Sequence, residues 1–167
     1  MIFLRSLFVC SSQQRNLYLF LLLLLFILTT CATGPKRGDF ELGMNGFRGY
    51  TWGTTVEDIG DPLEFQGVDE ARNIEWFTRK DDPLQIGKAN LESITYVFRD
   101  SRFAAVSIVA KGLSNYETLR GELEQGLGKT QAARDDDFSW DLPHTSVLFN
   151  YNKKTDVAML VIRAKEN

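Results

Sequence analysis

The chain has 167 residues, with 19 Lys or Arg against 22 Asp or Glu and a formal net charge of −3. That acid excess argues against a nucleic-acid partner, whose phosphates require clustered Lys and Arg, and against a polybasic grip on anionic lipid. With two cysteines and one histidine in the whole chain, a zinc site has too few nitrogen and sulfur ligands to draw on.

The first element is an unbroken apolar run of twelve residues, Leu17 to Leu28, reading LYLFLLLLLFIL. A membrane-spanning helix needs about 20 apolar residues, whereas the core of an export signal needs about 7 to 15. Arg5 and Arg15 precede the run and no acid does, so its cytoplasmic flank is positive, as export requires. Residues 1–14 make a preamble longer than export signals ordinarily carry, and residues 1–30 are set aside as a signal peptide.

The run ends on Leu28-Thr29-Thr30-Cys31, which resembles the lipobox of bacterial lipoproteins. The resemblance implies cleavage before Cys31 and a diacylglycerol and acyl chains on that cysteine. Thr30 stands where the lipobox usually has Gly, Ala or Ser. Two alternatives remain open: cleavage after Ala32, which would release a soluble secreted protein, and an uncleaved short anchor. Ala32 rather than Asp follows Cys31, which among lipoproteins favours the outer membrane, facing the periplasm. Without the leader and its two arginines, the mature charge is about −5 and no free thiol is left, so stability must come from the core.

Residues 31–46 are rich in Gly and polar residues and read as a lipid-anchored tether; residues 47–167 read as one domain. Phe47 to Gly53 is aromatic and glycine-rich. Within it, Tyr50 and Trp52 are the candidate binding residues as an exposed contact surface, set against docking of the segment onto a sheet. Thr54 and Glu57 have capping-box spacing, and Gly60-Asp61-Pro62 stops that helix after little more than a turn.

From Ile74 the apolar period becomes two. Strands are expected over Ile74 to Arg79 and Ile94 to Arg99, the latter joined through Asp100-Ser101 to Phe103–Ala110 as a tight hairpin. Ser114 and Glu117 repeat the capping-box spacing. Tyr116, Leu119, Leu123 and Leu127 then recur at helical intervals, and Gly128 closes the helix. Phe138 to Leu142 reads as a strand. Val147–Tyr151 and Val157–Ile162 make a last hairpin, and Val157–Ile162, apolar on both faces, suits a central position. The expected fold is therefore α+β: a twisted antiparallel sheet of about five to six strands with two helices on one face. An irregular helix-plus-strands repeat would set Trp76 against Trp140, and the face opposite the helices would be a concave platform.

No reaction is written in these residues. His144 lies between two strands in Leu142-Pro143-His144-Thr145, where a turn explains it. Asp135-Asp136-Asp137 lacks the spacing of a calcium loop, and it reads, like Asp81-Asp82, as solvated acid. The glycines at 43, 46, 49 and 53 form no phosphate loop, because no Gly-Lys-Ser/Thr follows. Neither a catalytic residue nor a metal or cofactor site is therefore assigned.

The tether, the one-turn helix and the β-rich remainder are similar in outline to small outer-membrane lipoproteins of the barrel-insertion machinery. They are similar also to repeated helix-plus-sheet inhibitors of secreted enzymes. Gly43-Met44 lies ten residues earlier than the Gly-Met pair of the assembly family, and no functional residue is carried over. The reading is a noncatalytic envelope lipoprotein that contacts the membrane through its anchor and binds an envelope protein or cell-envelope component. A carboxylate-dependent envelope hydrolase and a secreted soluble binding or inhibitor domain are the alternatives.

Overall fold

The structure is a computed structural model that describes residues 45–60, 63–130 and 136–165. The leader, Cys31 and the tether up to residue 44 lie outside the described residues, as does Asp135.

The central element is a seven-stranded antiparallel sheet. In chain order its strands are β3 (Leu63–Asp69), β4 (Ile74–Arg79), β7 (Ser93–Arg99), β8 (Arg102–Lys111), β9 (Asp137–Asp141), β10 (Thr145–Asn152) and β11 (Val157–Ala164). Across the sheet they run β3-β4-β7-β8-β11-β10-β9. Two small hairpins accompany it: β1 (Gly46–Phe47) with β2 (Tyr50–Thr51), and β5 (Gln85–Ile86) with β6 (Ala89–Asn90). The helices are α1 (Val56–Ile59) and α2 (Leu113–Leu127). The α+β class is as expected, but the sheet is larger.

The extra strand is β3 at the sheet edge. Its pairing with β4 shifts register between Phe65 and Gly67, leaving Gln66 as the extra residue of a bulge. That bulge breaks the period of two by which a half-buried strand is recognised.

The β7–β8 turn forms where Asp100 and Ser101 both take positive φ, 50° and 57°, the geometry a two-residue hairpin requires. β11 sits between β8 and β10, the interior position that its two apolar faces demand. One face of the sheet carries Ile94, Tyr96, Phe98, Phe103, Val106, Ile108, Val147, Phe149, Leu160 and Ile162, all buried. Each such side chain contributes roughly 1.5–3 kcal/mol relative to exposure. Onto this face α2 packs Tyr116, Leu119 and Leu123, with Tyr116 stacked on Phe149 and Tyr151 at ring distances of 5.3 and 4.5 Å. Val56 and Ile59 of α1 pack against the same core.

Both helix starts differ from expectation. The cap of α1 is Thr55, whose hydroxyl accepts from the Asp58 backbone N–H, and not Thr54 with Glu57. The Thr54 backbone is committed elsewhere, since its carbonyl accepts from the Phe103 N–H at 2.9 Å. Helix α2 begins at Leu113 after Gly112 with no side-chain cap, so Ser114 lies inside the first turn. Its start is held instead by Asn115, which donates to the Lys111 carbonyl and accepts from the Asn90 N–H. Gly128 does close the helix, donating to the Glu124 carbonyl.

Candidate functional site

The face opposite α2 has no covering element among the described residues. Register fixes its composition. One row across the strands runs Trp76, Val97, Ala105, Arg163, Ser146, Asp141. The next runs Thr95, Ser107, Val161, Leu148, Ser139, and a third runs Ser93, Val109, Met159, Asn150, Asp137. The apolar part of this face is thus Val109, Val161, Leu148 and Met159, with Ser107 beside Val161. Leu148 and Met159 are 39% and 40% exposed, unusual for large apolar side chains in strands flanked on both sides.

At one end the open face deepens into a bowl of about 790 Å³. It is lined by Val97, Ala104, Ala105 and Ser146 and by the charged Arg99, Arg102, Arg163 and Lys165 with Asp100 and Asp141. The depth has a local cause: the register of β7 on β8 jumps between Val97–Ala105 and Phe98–Phe103, so Ala104 is the extra residue of a bulge. A bulge bends and twists its strand, and the small side chains beside it leave the hollow unfilled.

The charges of the bowl are unequal in what holds them. Lys165 Nζ lies 2.6 Å from Asp141 Oδ1, and Asp100 accepts from Asn73 at 3.1 Å. Arg102 donates to the Gly53 carbonyl at 3.0 Å. The side chain of Arg163, exposed between Ala105 and Ser146, makes no ion pair or hydrogen bond among the described residues.

Tyr50 and Trp52, the residues expected to contact a partner, sit on the other side of the sheet and are half-buried. Trp52 lies over Phe103 at 4.7 Å, and its indole N–H donates to the buried Thr145 hydroxyl at 2.8 Å. Tyr50 packs on Tyr96 and Phe103, and its hydroxyl accepts from Arg79. Neither belongs to the bowl or to the open face. Trp76 is on the open face and Trp140 on the covered one, where its N–H donates to the Gly128 carbonyl, so these two tryptophans do not occupy equivalent places.

Asp82 overturns the expectation that Asp81-Asp82 is solvated. Its carboxylate, 5% exposed, lies 2.5 Å from Arg48 Nη1, whose side chain is 8% exposed, and accepts from the Tyr96 hydroxyl at 2.8 Å. Arg79 approaches at 3.7 Å. Arg48 also donates to the carbonyls of Pro83 and Gln85, so one guanidinium ties the β1–β2 hairpin to the strand that follows β4. Burial, then the bond to Asp82, raises the Tyr96 phenol well above its usual range.

A folded pKa raised above the unfolded value of about 10 means that the native state holds the proton more tightly. That stabilisation is complete below about pH 10 and is lost as pH rises from there towards the folded pKa. The Tyr96→Phe protein is expected to lose stability more slowly than wild type between pH 10 and 12, by up to about 1.4 kcal/mol per pH unit in urea titrations. Parallel pH profiles would contradict the assignment.

The remaining acids and the histidine have simple places. Asp136 pairs with Lys153 at 2.6 Å, and Asp137 is exposed in β9. His144 occupies the exposed β9–β10 turn, its carbonyl accepting from the Lys165 N–H. Among the described residues no group of three or more His, Cys, Asp or Glu could hold a metal ion, and no helix is long and apolar enough to cross a membrane. No protein family matches the chain, and comparisons with curated proteins and with solved structures find no match.

Proposed function

We propose that this protein is a noncatalytic binding domain, held on the periplasmic side of the outer membrane by acyl chains on Cys31, that grips an envelope protein or cell-envelope component through the open face of its sheet. The observation that carries the reading is the pairing of a sheet face that no described element covers, with Val109, Val161, Leu148 and Met159 on it, and a polar bowl at its end. Side chains such as Leu148 and Met159 gain from burial against a partner, and a concave polar end supplies orientation. The lipobox-type segment supplies the anchor, and the acidic surface leaves attachment to the acyl chains alone. We further infer that the sheet grew from an irregular repeat. The order β4-β7-β8 is answered by β9-β10-β11, and the last strands of the two sets, β8 and β11, pair at the centre.

The test is photocrosslinking in the native host, with a photoreactive residue at Leu148 and a control at Glu117 on the exposed side of α2. A discrete adduct from Leu148 alone, recovered with the membrane fraction, is the expected result. Equal adducts from both positions would contradict the role of the open face, and recovery from the soluble fraction would contradict the anchor.

A further inference from the structure

We propose that the bowl is a receptor for a single carboxylate side chain on an extended segment of the partner protein, with Arg163 as the residue that recognises it. This deepens the reading of the open face as a binding surface and rests on it. Arg163 is the one bowl cation whose side chain makes no ion pair or hydrogen bond among the described residues. Asp141, the nearest carboxylate in its row, is held by Lys165. A planar guanidinium with its donors available meets a carboxylate through two parallel hydrogen bonds, a geometry that fixes direction as well as charge. Arg99 and Arg102, which also line the bowl, add to the same positive field.

The apolar part of the segment follows from β11. Arg163, Val161 and Met159 alternate along one strand on the open face, so their side chains rise about 6.6–6.8 Å apart. An extended peptide presents its own alternate side chains at the same interval. A segment lying along β11 would place an Asp or Glu over Arg163 and apolar residues two and four positions away over Val161 and Met159. A bilayer fits less well: the positive groups line a recess that a flat headgroup layer does not enter, and the chain as a whole is acidic.

The test selects a phage-displayed library of random heptapeptides against the full-length protein and against Arg163→Glu and Arg163→Gln. Wild type is expected to enrich peptides with an acid two residues from an apolar residue, by at least about fivefold over the unselected library. Arg163→Glu should replace the acid by Lys or Arg, and Arg163→Gln should abolish the charge preference. Three results would overturn the proposal: wild-type selection without acid enrichment, an unchanged preference in Arg163→Glu, or failure of wild type to select any peptide. Displacement of the selected peptides by millimolar inorganic phosphate, or stronger binding to phosphatidylglycerol vesicles, would also overturn it by showing a general anion site or a lipid site. Adducts at Leu148 alongside a failed peptide selection would leave the open face as the binding surface and reject only the acidic partner.

Discussion

Asp82→Ala is expected to lower the unfolding free energy by about 3–5 kcal/mol, the range seen when one member of a buried ion pair is removed. The substitution leaves the Arg48 guanidinium, 8% exposed, without its carboxylate and the Tyr96 hydroxyl without an acceptor. Against a total stability of about 5–15 kcal/mol for a domain, this is a large fraction. The loss should appear as a lower urea midpoint at unchanged slope, because the surface exposed on unfolding is nearly the same. Asp82→Asn keeps the shape and one acceptor oxygen and should fall between the two. The paired replacement Arg48→Met with Asp82→Leu removes both charges together. It should recover part of the loss, although the carbonyls of Pro83 and Gln85 would still miss their donor and the Tyr96 hydroxyl its acceptor. An Asp82→Ala protein within about 1 kcal/mol of wild type would show that the carboxylate behaves as a surface group.

Gly46→Ala should cost about as much, for an unrelated reason. A Cβ at Gly46 would lie 1.9 Å from the carbonyl oxygen of Tyr50 and 3.0 Å from the Thr51 Cα, both backbone atoms of the paired strand. No rotamer change relieves an overlap with backbone, so the β1–β2 hairpin must open. Phe47, 1% exposed, is then unseated, and Trp52 loses the anchorage that its backbone N–H gains from the Asn45 carbonyl. Truncating a buried phenylalanine costs about 3–5 kcal/mol, which sets the expected scale. The same change at Gly121, in the middle of α2 with open space around its position, should instead stabilise by about 0.5–1 kcal/mol. Thermal unfolding of the two variants side by side checks the contrast. Equal effects would mean that the close approach of Gly46 to Tyr50 does not constrain the fold.

What the sequence revealed depended on how local each signal was. Asp100-Ser101 and Gly128 were legible because a turn and a helix stop are decided by a few adjacent residues. The central place of β11 was legible because Val157–Ile162 is apolar on both faces, a pattern an edge strand seldom carries. The cap of α1 was ambiguous at the outset: Thr54 and Thr55 each have an acid three residues on, and only the pairing of Thr54 with Phe103 breaks the tie. Strand β3 was hidden by its bulge at Gln66 and by Phe65, which remains 57% exposed at the edge.

Asp81 and Asp82 are indistinguishable in the sequence. Their difference is made by Arg48 and Tyr96, which lie 34 and 14 residues away. The bowl was the least legible feature. Arg99 and Arg102 flank one hairpin turn while Arg163 and Lys165 end the last strand, and only the pairing of β8 with β11 brings them to one place.

The proposed binding role requires that the open face be occupied in the cell. The most direct measurement is the thiol reactivity of Met159→Cys, compared with Glu117→Cys, in intact envelopes and in purified protein. Cys10 leaves with the leader and Cys31 is acylated in the proposed mature form, so each variant would carry one reactive thiol. Both should react rapidly when purified, whereas in the envelope Met159→Cys alone should slow by about tenfold or more, the protection given by a partner present about tenfold above its dissociation constant. Equal reactivity of the two positions in the envelope would show that no partner covers the open face.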